Sequence, residues 1–144
     1  MDLINRIIHA LTQTHPIHPM VVHFPIALTG AALFFILLAL WKNKEFFEQA
    51  AFANIALATV STVVAGLTGL YDNQVNYAGE APNAHLKMIL AATLFIVTTI
   101  TAIARWKNPN LFDTSRALYV AAYFISFGLA LVLAFLGGVI LYGF

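Results

Sequence analysis

The stretch His18–Leu28 reads HPMVVHFPIAL and opens a long apolar run with two imidazoles and two prolines. Hydrocarbon penalises unpaired polar groups and interrupted backbone, so residues of these types at the mouth of a membrane span point to binding. Imidazole is a ligand for haem iron, copper and zinc. A third histidine, His85, stands at the head of a later apolar run. Two histidines from separate spans at equal depth are what a bis-histidine haem b requires. His23 and His85 are therefore the expected axial ligands, with His18 as a third ligand or a supporting residue beside Asp72. Arg6, Lys87 and Tyr77 fall at the level where haem propionates would lie. Met20 and Met88 sit beside histidines, and a set of His18, His23, His85 and Met88 suits Cu(I). A third alternative needs no cofactor. In it His18 finishes a helix end, His23 bonds a carbonyl freed by Pro25, and His85 meets Asp72 at the water boundary.

Depth follows from helix rise, about 1.5 Å per residue. If the first span starts at Pro19, a favoured first helical position, His23 lies roughly 6 Å in; if the third starts near Pro82, His85 lies roughly 4.5 Å in. Pro25 removes a backbone donor, frees the Val21 carbonyl and is expected to kink the helix. Ala27 and Gly30 follow His23 on its own face and leave lateral room below the ring. Gly137-Gly138 near the chain's end is expected either to pack tightly against a neighbour or to clear space for a flat ligand.

The elements that must position these residues are read from composition. The 144-residue chain is 61% hydrophobic and only 9% charged, against roughly 25% charged in soluble domains. The charges gather into gaps, leaving uncharged runs near the about 20 residues a bilayer crossing needs. Spans are drawn at about 20–41, 47–71, 84–105 and 115–142, forming an all-α, integral membrane, antiparallel four-helix bundle of one domain, 1–144. Leu3, Ile4, Ile7, Ile8 and Leu11 recur at helical spacing with Asn5, Arg6, His9 and Gln13 opposite. That predicts a short amphipathic helix over about 2–13, lying on the membrane surface. The second span is rich in small residues, including Ala51, Ala58, Ala65, Gly66 and Gly69, and is expected to be central because small residues let helices approach closely in lipid.

Lys42, Lys44, Arg105, Lys107 and Arg116 fall on one side of the membrane, and Arg6 and Lys87 on the other. By the positive-inside rule both termini lie outside the cytoplasm, on the periplasmic side of a bacterial inner membrane. All five histidines then belong to that outer face. A net charge of +1 and zero cysteines argue against nucleic-acid partners and exclude thiolate, haem c and cysteine-ligated iron–sulfur chemistry. No phosphate-cradling loop or spaced nucleophile–base set occurs, so an electron carrier or complex subunit is expected, not an enzyme with its own substrate.

The opening motif from His18 to Leu28 resembles the signature of an uncharacterised family of bacterial four-helix membrane domains. Members of that family carry a later lone histidine at the start of the third helix, here His85, and a closing Gly-Gly element, here Gly137-Gly138. The resemblance covers the chain from about residue 15. Some members are fused to Rieske or cytochrome c domains, which implies redox work at the outer membrane face. This chain would then serve as a subunit beside such a protein, in a larger complex or as a homo-oligomer.

Overall fold

The computed structural model describes residues 2–9 and 17–142, and every regular element among them is helical. In chain order these are α1 (Leu3–His9), α2 (Ile17–Val21), α3 (His23–Lys42), α4 (Glu45–Tyr77), α5 (Ala84–Lys107), α6 (Leu111–Thr114) and α7 (Arg116–Tyr142). Four stretches are long and apolar enough to cross a membrane: Ile17–Lys42, Glu45–Tyr77, Ala84–Lys107 and Arg116–Val139. They match the expected spans except at the end of the second. There the chain stays helical to Tyr77, six residues past the expected boundary at Tyr71. At 1.5 Å per residue α4 is about 50 Å long, against about 30 Å of hydrocarbon, so its last turns project beyond the span.

Local chemistry sets the helix ends. Asn43 takes the left-handed conformation (φ 49°) and returns its N–H to the Ala39 carbonyl at 2.9 Å, closing α3. Two residues, Asn43 and Lys44, turn the chain into α4. At the far end of α4, Ala78 (φ 51°) and Gly79 (φ 85°) reverse the chain. The Asn73 side chain holds that turn by donating to the Gly79 carbonyl at 3.3 Å and accepting from Ala81 N–H at 3.0 Å. The expected surface loop is thus short and side-chain-stapled. Pro109 follows Asn108, where α5 stops, as the restriction on residues before proline requires.

The core is a set of seams. Buried residues are Pro25, Thr29, Ala32, Ile36 and Ala39 on α3; Glu48, Ala51, Ile55, Ala58, Thr62 and Ala65 on α4; Leu94, Thr98, Thr101 and Arg105 on α5; and Tyr119, Tyr123, Ser126 and Ala130 on α7. The steps alternate three and four, the 3.5-residue period of left-handed helix packing. Small side chains bring backbones close. The seam hydroxyls are satisfied inside their own helices, as where Thr29 donates to the Pro25 carbonyl at 2.7 Å and Thr98 to the Leu94 carbonyl at 3.0 Å. Large apolar side chains such as Phe34, Val60, Ile100 and Phe135 face outward, the inverse of a soluble bundle and the surface a bilayer wets. Helix α4 packs against α3 and α5, and α7 packs against the same two, so α3 and α5 stand diagonally. Helix α1 forms, with Leu3, Ile4, Ile7 and Ile8 exposed and none of its residues buried. The end of the expected surface helix and His15 lie outside the described residues.

Candidate functional site

The HPMVVHFPIAL motif forms the first turns of the first span. Pro25 has no N–H to give the Val21 carbonyl, yet the backbone stays helical at Val22 (φ −63°, ψ −20°), whose N–H bonds the His18 carbonyl at 3.0 Å, so α2 runs on into α3 and the expected kink is not a break. One turn back along that helix, the Pro19 carbonyl lies 2.6 Å from His23 Nδ1. A carbonyl only accepts, so Nδ1 carries the proton, and in the neutral form of the ring the lone pair belongs to Nε2. The ring is exposed. This is the arrangement that prepares a histidine to ligate through Nε2.

The structure does not bring His23 and His85 together across the bundle. At 100° per residue His23 lies roughly 160° round α3 from its buried seam, and His85 roughly 180° round α5 from its own. Both rings are exposed, and their helices are diagonal rather than neighbouring. Their opposed azimuths work against the expected pairing. Among the described residues no group of three or more histidine, aspartate or glutamate side chains is close enough to hold a metal ion. Met88 and Met20 are likewise exposed.

Other expected site residues divide. Ala27 is exposed on the same outward face as His23. Gly30 is no ligand space: a methyl built on it would stand 3.0 Å from Cε2 of Phe127, so α7 occupies that room. Among the described residues, a methyl on Gly137 would meet nothing within 4 Å; Gly138 is half-buried in the same helix. Arg6 is exposed on α1.

What does converge at this end is His18, Asp72 and Lys87. Counting in sevens from the seams places His18 in register with Pro25, Asp72 with Ala58 and Ala65, and Lys87 with Leu94 and Thr101. Asp72 and Lys87 lie within electrostatic reach of His18 and of each other. The His18 ring is seated on α4, with Nδ1 3.3 Å from the Thr68 hydroxyl. It lies flush against Gly69, where an added methyl would stand 2.8 Å from its Cε1. His18 is thus an interior packing residue of the motif, and His23 is the outward one.

The opposite end holds a polar cluster that the linear distribution of charge conceals. Glu48 and Arg105, which fall at the very ends of the expected spans 47–71 and 84–105, are 3% and 8% exposed. They form a two-pronged ion pair, Nε to Oε1 at 2.6 Å and Nη2 to Oε2 at 2.7 Å. Tyr119 donates to Glu48 Oε1 at 2.9 Å. Its hydroxyl is 2.7 Å from that of Tyr123; because the Tyr119 proton goes to the carboxylate, Tyr123 is the donor. The Arg105 guanidinium lies over the Phe52 ring at 5.4 Å. Three helices are joined with each charge met by a partner, the condition under which buried charge is tolerated. The seam register 48–51–55–58 and 94–98–101–105 was the available signal.

Four apolar membrane-crossing helices around small-residue seams, entered through a proline-containing histidine motif, define a multi-pass α-helical membrane protein. The family described as "Predicted membrane protein (DUF2231)" matches residues 14–144, and the chain belongs to that family. No curated protein and no solved structure matches the chain.

Proposed function

We propose that the chain is an outer-face subunit of a membrane redox assembly that offers His23 as a single imidazole ligand to a haem b, the remaining ligand coming from outside its own bundle. The observation that carries this reading is the 2.6 Å contact from His23 Nδ1 to the Pro19 carbonyl on an exposed ring, which fixes the tautomer and leaves Nε2 as the coordinating atom. Pro25, which leaves the Val21 carbonyl without its backbone donor, has a structural cost that spanning alone does not require. Among the described residues, the space beside Gly137 and the ammonium of Lys87 add room and charge for a macrocycle bearing carboxylates. The topology that goes with this reading is an antiparallel bundle with both termini on the periplasmic side of a bacterial inner membrane, argued from the lysine and arginine bias. The partner class is a Rieske or cytochrome c type protein. In an assembly of copies, the second ligand would be His85 of a neighbouring copy. A copper ion on the same Nε2, with Met88 nearby in sequence to His85, is the variant of this site chemistry that elemental analysis separates.

The test is an absorption spectrum of the chain purified from its native membranes with associated proteins retained, before and after dithionite. A Soret band with a reduced α-band, lost in His23→Ala, is expected. Copper without those bands selects the copper variant. A colourless, metal-free preparation sinks the ligand role and leaves a second reading, a cofactor-free structural subunit. That second reading has its own support in the Glu48–Arg105–Tyr119 cluster, which spends the chain's buried charge on holding helices together.

A further inference from the structure

We infer that His18 and Gly69 act as a positioning pair for His23, docking α2 on α4 so that the Pro19 carbonyl meets the His23 ring. The inference rests on the reading of His23 as the ligand, and it assigns His18 a role other than ligation.

The geometry is a chain of contacts. Helix α2 is only five residues long and forms the terminal turn of the span, continuous with α3 through Val22. Terminal turns fray unless something holds them, and what α2 packs against is chiefly α4. That contact is the His18 imidazole, which lies on the bare backbone of Gly69, 3.3 Å from the Thr68 hydroxyl. Any side chain at position 69 would collide with the ring, since the first added carbon already falls 2.8 Å from Cε1. Pro19 is the next residue along α2, and its carbonyl is the acceptor for His23 Nδ1 at 2.6 Å. Fraying of this terminal turn lengthens that contact, and hydrogen bonds weaken steeply with lost distance and alignment. The groups facing His18 from the helices around it are Asp72 on α4 and Lys87 on α5, so the pin is a polar one set among fixed charges. In this arrangement Gly69 supplies the seat, His18 the pin, Pro19 the carbonyl and His23 the coordinating nitrogen.

The experiment is long-range proton–nitrogen NMR on the full chain, labelled with ¹⁵N-histidine, in detergent micelles at a pH where imidazole is neutral. The wild type is expected to show His23 as a single Nδ1–H tautomer. In His18→Ala and in Gly69→Ala that form is expected to give way to the Nε2–H tautomer, with the Tyr119 and Tyr123 resonances at the far end unmoved. Thr68→Val, which removes one polar contact and keeps the seat, is expected to shift the balance less than either. If Gly69→Ala does not fold, His18→Ala decides, because it adds no atom to the core. A wild-type His23 that is not in the Nδ1–H form, or one that stays in it in His18→Ala, overturns the inference. The readout needs no bound haem or metal. A colourless protein with the tautomer shift therefore refutes the ligand role alone, and a coloured protein without the shift refutes the pin alone.

Discussion

Removing one partner of the Glu48–Arg105 pair is the sharpest test of how this bundle is held. In Arg105→Met the apolar stem is kept and the guanidinium lost. Glu48, 3% exposed, then keeps only the Tyr119 hydroxyl at 2.9 Å. Breaking a buried ion pair from one side typically costs about 3–5 kcal/mol because the remaining charge is left uncompensated. The pair sits in the first turn of α4 and the last turn of α5, near the depth where water and headgroups begin. The lower figure therefore applies. A loss of about 3 kcal/mol is roughly a hundredfold in the folded-to-unfolded ratio.

The contrast is what makes the experiment decisive. Replacing a whole buried ionic group by apolar side chains of similar volume is often neutral or stabilising. The triple variant Glu48→Leu, Arg105→Met, Tyr119→Phe removes carboxylate, guanidinium and the hydroxyl aimed at them together, and is expected to recover most of the loss. Tyr119→Phe alone is expected to cost about 1.5–3 kcal/mol, the range for a hydrogen bond to a charged group. Reversible unfolding in mixed micelles, followed by the fluorescence of Trp41 and Trp106, reads all three. A cost below about 1 kcal/mol for Arg105→Met would place the pair in the class of exposed ion pairs and refute the claim that it locks α4, α5 and α7.

Three further outcomes follow from the same coordinates. Gly30→Leu is expected to destabilise by about 1–3 kcal/mol through overpacking against Phe127, whereas Gly137→Ala is expected to be near neutral because no described residue stands within 4 Å of the added methyl; the same unfolding assay compares them. Thr99→Val is expected to stabilise by about 1 kcal/mol, since the Thr99 hydroxyl is buried without a hydrogen-bond partner and such a group retains its desolvation cost. Gly79→Ala is expected to lose about 1–2 kcal/mol, because φ is 85° there and a Cβ is strained in that region; a lowered midpoint with an unchanged transition slope is the signature.

How much was legible in the sequence depends on which coordinate a residue's position required. Depth along a helix is set by counting from its end, and the four spans follow from such counting. Azimuth needs the buried seam, and that was readable too: His18, Pro25, Ala32 and Ala39 are spaced by sevens, a register that turns His18 inward and His23 outward. Treating the motif's two histidines as one patch erased the distinction. The same register carries Glu48 with Ala51 and Ile55, and Arg105 with Thr101 and Thr98, but charge near a helix end suggests a solvated gap when only linear position is considered. The extension of α4 to Tyr77 hinges on the Asn73 staple, a contact reaching eight residues ahead to Ala81 that no periodicity announces. The diagonal placement of α3 and α5 is a property of the assembled bundle, and no single helix encodes it.

The two ends of the bundle differ in how their polar groups are met, and that difference is the strongest argument for where function lies. At the Glu48 end the carboxylate and the guanidinium face each other inside the chain, so the cluster's free energy goes into holding three helices in one register. At the histidine end His18 is turned inward and engaged, yet His23 presents a ring whose Nδ1 is committed to the Pro19 carbonyl and whose Nε2 looks out of the bundle. A satisfied cluster has little left to offer a ligand. An oriented and outward imidazole has one directional lone pair, and completing its coordination or hydrogen bonding takes a group from beyond this bundle. Under the proposed reading, preparations that keep the chain's neighbours are the ones in which a haem spectrum is expected, and His23→Ala in the same preparation is the variant that must lose it.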